Sequence, residues 1–157
     1  MDAGPNNREA ESRKWPRHTK GESCPGCNAR MDEAHPELRI VFHSIKKVFP
    51  DAHASWVWRN RVQQNQFVND GASKAPYPTS QHNKLLNGEP CARAFDLFQL
   101  DAKGLAMWDP GFFRSIWRWM LYQKLPMRWG GAWTTLGDTN HYELERWVAP
   151  RCDGDEI

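Results

Sequence analysis

The chain has 157 residues, with 21 Lys and Arg against 19 Asp and Glu and a formal charge of +2. That length suits one domain able to bury a core without disulfide staples, and the near balance argues against a nucleic-acid binder that works by charge excess. A mean hydropathy of −0.80 and the lack of any apolar run near the ~20 residues of a spanning helix argue against an integral membrane protein. In chain order, residues 1–22 are polar, carry Gly4, Pro5 and Pro16, and show no apolar periodicity. They read as a mobile tail without the apolar stretch of a secretory signal. The expected site of synthesis is a reducing cytoplasm, where the four cysteines stay as thiols or bind metal. In Pro36–Phe49, Leu38, Val41, Phe42, Ile45 and Val48 recur three and four apart, one stripe of an amphipathic helix. Pro36 suits its first turn and Pro50 stops it. Ala54–Trp58 is β-branched and aromatic and reads as a strand. Arg61–Asp70 reads as a helix ended by Gly71. Ser73–Pro90, rich in Pro, Ser, Asn and Gly, reads as a long loop, of the kind that is functional or disordered. Ala92–Leu97 alternates as a strand, with Ala92, Ala94 and Asp96 on one face. Pro110–Gln123 is a second amphipathic helix, through Phe113, Ile116, Trp117 and Met120. Trp129–Trp133 is a glycine-containing turn, and Asn140–Leu144 a last short strand. Residues 150–157 read as a second polar tail. This order predicts an α+β fold, with a small antiparallel sheet flanked by helices in one domain over residues 23–149.

Three segments carry chemistry. Ser80-Gln81-His82-Asn83 lies in the long loop, Ala94-Phe95-Asp96 on the strand after it, and Asp138-Thr139-Asn140-His141 at the last strand. Two imidazoles and a carboxylate form a proper set for catalytic zinc, which takes three protein ligands and keeps a position open for water. Asp138, three residues before His141, can then stand beside that water without ligating the ion. A carboxylate there can take the water's proton and later protonate a leaving amine.

In these segments the chain resembles the M15 family of metallopeptidases, which cleave peptides of bacterial cell walls. The family pattern is Ser-x-His, then a small residue-x-Asp, then an acidic residue three before a final His. Trp58-Arg59-Asn60 followed by Gln64-Asn65 approximates the family's Tyr-Arg-Ser and Gln. Trp129-Gly130-Gly131-Ala132-Trp133 matches the Trp-Gly-Gly-x-Trp of its phage endolysin branch. The similarity runs from about Leu38 to Trp147. It implies a fold like that of hedgehog and D-Ala-D-Ala peptidases, with His82, Asp96 and His141 as ligands of one zinc ion. It implies Asp138 as general base and acid, Arg59 as the binder of a substrate carboxylate or scissile carbonyl, and Ser80 as a polar contact near the metal. The implied partner is the stem peptide of peptidoglycan, with no nucleic acid or membrane, and the implied state a monomer. The implied bond is L-Ala–D-Glu or one containing D-Ala, and the enzyme is made in a phage host's cytoplasm and acts on the wall after release. One departure stands out: His82 and Asp96 are fourteen residues apart, where the family has seven, so Asn83–Pro90 reads as an insertion. Glu89, inside it, fits the ligand pattern worse than Asp96.

Two rivals share these residues. One is a D-Ala-D-Ala carboxypeptidase. The other is a non-catalytic zinc-binding wall or virion module, which the widened spacing would favour. Arg61 competes with Arg59 if the strand ends two residues later. Glu143 shares a strand face with His141 and could orient it. Cys24-Pro25-Gly26-Cys27 is a C-x-x-C knuckle without a second knuckle, and His53 has no evident partner. Of nine tryptophans, Trp56, Trp58, Trp129, Trp133 and Trp147 lie in sequence around the proposed site. Trp117 and Trp119, two apart, cannot share one helix face.

Overall fold

Residues 23–133 and 137–155 are described by a computed structural model; the proposed tail over 1–22 lies outside them. Cys24 caps the first helix, α1 (Pro25–Met31), with Pro25 at its first position. The stripe read in the sequence forms α2 (Pro36–Val48). Leu38, Val41, Phe42 and Ile45 are at most 1% exposed, whereas Val48 at the helix end is 50% exposed. Burying each of those four contributes on the order of 1.5–3 kcal/mol. After β1 (Ala52–Trp56), a reciprocal pair of hydrogen bonds between Asn60 and Gln63 caps α3 (Arg61–Asn69).

Strand β1 starts and ends two residues earlier than expected. Ala52 pairs with Gln99, and the register shifts between Ala54 and Trp56, which pairs with Asp96. Beyond it, the Arg59 amide donates to the His82 carbonyl at 2.8 Å. The chain after Trp56 therefore binds the loop around His82 instead of the sheet. That loop is not structureless. It contains a 3-10 turn over Gln81–Asn83 and a hairpin of β2 (Leu85–Leu86) and β3 (Glu89–Pro90). The hairpin turns on Asn87 and Gly88, whose φ values of 53° and 80° are those of a type I′ turn, which Asn-Gly favours.

The next strand, β4 (Ala94–Leu100), begins two residues later than expected. Ala92 instead makes an isolated parallel bridge to Ala34. Then come β5 (Ala106–Met107), α4 (Pro110–Tyr122), β6 (Met127–Trp129), a 3-10 turn over Gly130–Ala132 and β7 (His141–Leu144). The sheet order is β1-β4-β7-β6, with β5 also on β4, and every pairing in it is antiparallel. The fold is α+β, as expected. Strand β4 divides its side chains by alternation: Phe95 and Leu97 join α2 and α4 in the core, and Asp96 points to the other face.

Residues 150–155, read from sequence as a tail, are bound to the body. The Arg93 guanidinium, 1% exposed, donates to the carbonyls of Glu145, Val148 and Pro150. The Asp153 carboxylate accepts from the Asn87 and Gly88 amides at the hairpin tip. Lys84 pairs with Asp155 at 2.9 Å. Among the described residues, no helix is long and apolar enough to cross a membrane.

Candidate metal centre

Three donors converge from three elements. Ser80 caps the 3-10 turn, its Oγ accepting from the His82 amide, and this sets His82 against the sheet. Asp96 and His141 face each other across the β4–β7 ladder. His141 Nδ1 lies 2.9 Å from Asp96 Oδ1. His82 Nε2 lies 3.3 Å from the same oxygen and 3.2 Å from His141 Nδ1. His82 is 1% exposed and Asp96 and His141 are each 7% exposed.

The outer contacts decide which atoms face inward. His82 Nδ1 donates to the Val57 carbonyl at 2.6 Å. A carbonyl can only accept, so His82 carries its proton on Nδ1 and presents the Nε2 lone pair. His141 Nε2 donates to Glu143 Oε2 at 3.1 Å, and Arg128 pairs with the other oxygen of Glu143 at 3.2 Å. That leaves His141 Nδ1 for the centre. Glu143 thus orients His141, as its strand face suggests. The Val57 carbonyl carries no side-chain signal, so no motif could have pointed to it.

Charge is unevenly shared. Burial, and then the Arg59 charge, bring the His82 pKa down to about 4. Burial also opposes a charge on His141, but hydrogen bonds to Asp96 and Glu143 overcome it and push the pKa up to about 10. Asp96 is held well below the usual carboxylate range: burial opposes its charge, and His82 and Arg59 more than offset that. Asp138 is raised, first by burial and then by the negative charge of Asp96.

Asp138 is set by the glycine turn. Its amide donates to the Gly130 carbonyl, and its carbonyl accepts from the His141 amide. A Cβ on Gly130 would come within 2.4 Å of the Asp138 carbonyl oxygen, and one on Gly131 within 2.1 Å of the Trp129 ring. The Trp129 indole donates to the Thr139 carbonyl at 2.7 Å. Trp133 lies 5.3 Å from the His141 ring, centroid to centroid. The Trp-Gly-Gly-x-Trp element therefore shapes the segment that carries Asp138 and His141.

Arg59 is at the centre and 5% exposed. Its guanidinium is ion-paired with Asp96 Oδ2, donates to Gln64 Oε1 at 3.4 Å, and lies 3.9 Å from the centroid of the Phe67 ring. Arg61 is exposed and lies over Tyr77 instead. Glu89 is on the exposed side of the hairpin. The extra residues between His82 and Asp96 are that hairpin, so both anchors stay in place. Asn83, whose side chain donates to the Arg59 carbonyl at 2.9 Å, is an organising residue with no signal in sequence beyond its place beside His82.

His82, Asp96 and His141 bring their ligand atoms within 4.8 Å of one another. Two imidazole nitrogens and a carboxylate oxygen, each with its outer atom already committed, suit zinc. A second group with the same spacing joins Cys24, Cys27 and His53, supplying the partners that His53 lacks in sequence.

No family model and no curated protein matches the sequence. Among solved structures, the fold is similar to that of the Serratia marcescens L-Ala D-Glu endopeptidase ChiX, with a TM-score of 0.63 and 21% identity. The match covers 85% of this chain and 92% of that one. The chain therefore shares the fold of that endopeptidase.

Proposed function

We propose that this protein is a zinc peptidase that hydrolyses peptide bonds in bacterial peptidoglycan, of the M15 type and endolysin-like. The observation that carries the proposal is the convergence of His82 Nε2, His141 Nδ1 and Asp96 Oδ1, with each imidazole's other nitrogen held by Val57 or Glu143. When bound there, zinc supplies Lewis acidity, which lowers the pKa of a water and polarises a carbonyl. Asp138 accepts the proton of the attacking water, and its raised pKa suits it to hold that proton. It then passes the proton to the departing amine. Arg59 holds Asp96 in place and offers positive charge to a substrate carboxylate or to the scissile carbonyl. Ser80 positions His82 through its amide and adds a polar contact near the substrate.

The shared fold with an L-Ala D-Glu endopeptidase supports an internal cut in the stem peptide over removal of a terminal D-Ala. Mass spectrometry of digested sacculi, with zinc analysis of wild type and Asp138→Ala, tests this. The expected result is zinc in both proteins and separation of the L-Ala–D-Glu bond by wild type alone. Loss of single D-Ala residues would make it a carboxypeptidase. Zinc without any cleavage by wild type would make it a binding module.

A further inference from the structure

The C-x-x-C knuckle takes no part in the proposed hydrolysis, yet it is among the most buried parts of the chain. Cys24, Cys27 and His53 are 1%, 0% and 0% exposed. His53 Nδ1 lies 3.3 Å from Cys24 Sγ and 3.5 Å from Cys27 Sγ. One imidazole nitrogen thus faces both sulfurs, and the three donor atoms lie within 4.8 Å of one another. A disulfide between the two cysteines would need no imidazole there. Both sulfurs also accept backbone amides: Cys27 N–H donates to Cys24 Sγ at 3.3 Å, and Ala54 N–H to Cys27 Sγ at 3.4 Å. Such bonds are strongest to sulfur that carries negative charge.

From this geometry we infer that Cys24, Cys27 and His53 hold a second zinc ion, structural in role and separate from the His82–Asp96–His141 centre. Two thiolates and a neutral imidazole form a soft donor set that selects zinc over harder cations. The dication and two thiolates sum to zero, which makes the site tolerable in a buried setting. Binding releases the two thiol protons. Among the described residues, these three side chains fill three of the four positions that a tetrahedral zinc takes.

The site joins α1 to β1, where the Arg30 guanidinium also donates to the Ala54 carbonyl at 2.7 Å. The strand it holds leads directly into Val57 and Arg59, which orient His82 and Asp96. The second ion therefore braces the strand on which the first centre rests.

Cobalt substitution of the full chain, purified under reducing conditions, tests the inference. The expected result is a thiolate-to-cobalt charge-transfer band in the near ultraviolet, and release of one zinc per chain from the native protein by an organomercurial. The band should survive His82→Ala and the Cys91→Ser/Cys152→Ser pair, and vanish in Cys24→Ser/Cys27→Ser. Absence of the band in wild type, or its persistence in Cys24→Ser/Cys27→Ser, would overturn the inference. A single zinc with this signature would leave it standing and defeat the hydrolytic centre instead; a single zinc without it does the reverse.

Discussion

Asp96 gives one oxygen to the two histidines and the other to Arg59. The carboxylate is thereby fixed in plane and remains ionised. His82, beside the same arginine, is kept neutral. This has a measurable consequence for the chelator-treated protein. His82 has a folded pKa of about 4 against an ordinary 6.5, so the unfolded chain takes up a proton first as pH falls. The stability that neutral His82 contributes is present above pH 6.5 and drains between 6.5 and 4. His35, lowered by burial, has the same sign. The difference in melting temperature between wild type and His82→Asn across that interval isolates the contribution of His82, and it should shrink as the pH drops. At Gly130 the constraint is steric. Gly130→Ala must push the Asp138 carbonyl aside, a cost of about 1–3 kcal/mol. Urea denaturation should show that loss, with a fall in hydrolysis exceeding that of an equally destabilised core variant.

At the scale of elements, the hairpin between His82 and Asp96 is the clearest case of a tolerated insertion. Its tip is held by Asp153, through the amides of Asn87 and Gly88. Asp153→Ala should speed hydrogen exchange at Asn87 and Gly88 while leaving zinc content unchanged, because both metal anchors lie outside the hairpin. Asn87-Gly88 after two leucines is itself a hairpin signal, and the Pro- and Ser-rich composition around it hides the signal. Helices α2 and α4 were readable because their apolar spacing is a local property. Strand ends were less so: β1 lies two residues earlier than expected, and β4 starts two later and ends three later, because their limits depend on partners such as Gln99 and Ala34 that local pattern does not reveal. The residues His82, Asp96, Asp138 and His141 were legible through spacing and resemblance. The Cys24–Cys27–His53 group was not, since only the packing of α1 on β1 unites it.

At the scale of the molecule, the tryptophans do several jobs. Trp129, 7% exposed, stacks on Trp117; Trp119 meets Phe49; and Trp108 stacks on Phe98. Trp56 lies against Phe67 beside Arg59, whereas Trp147 is 68% exposed and walls nothing. Trp117 and Trp119 both pack partly against the core from different sides of α4. One buried cation, Arg93, gathers the carbonyls at the start of the C-terminal segment. Arg93→Ala would strip the Glu145 and Val148 carbonyls of its guanidinium donor and leave Pro150 to His35 alone. It should cost about 3 kcal/mol or more, read as a lower urea midpoint at unchanged zinc content.

The alternation of β4 has an evolutionary reach. Asp96 sits opposite His141 and its neighbour Phe95 opposite Tyr142, so successive rungs of one ladder serve the centre and the core on opposite sides. A single-residue insertion or deletion within one strand would exchange the sides of that strand, exposing Phe95 and turning Asp96 inward in β4, or exposing Tyr142 and turning His141 inward in β7. Descendants of this chain can therefore lengthen or trim the hairpin freely, but a length change inside the β4–β7 ladder is eliminated by folding before activity is ever tested.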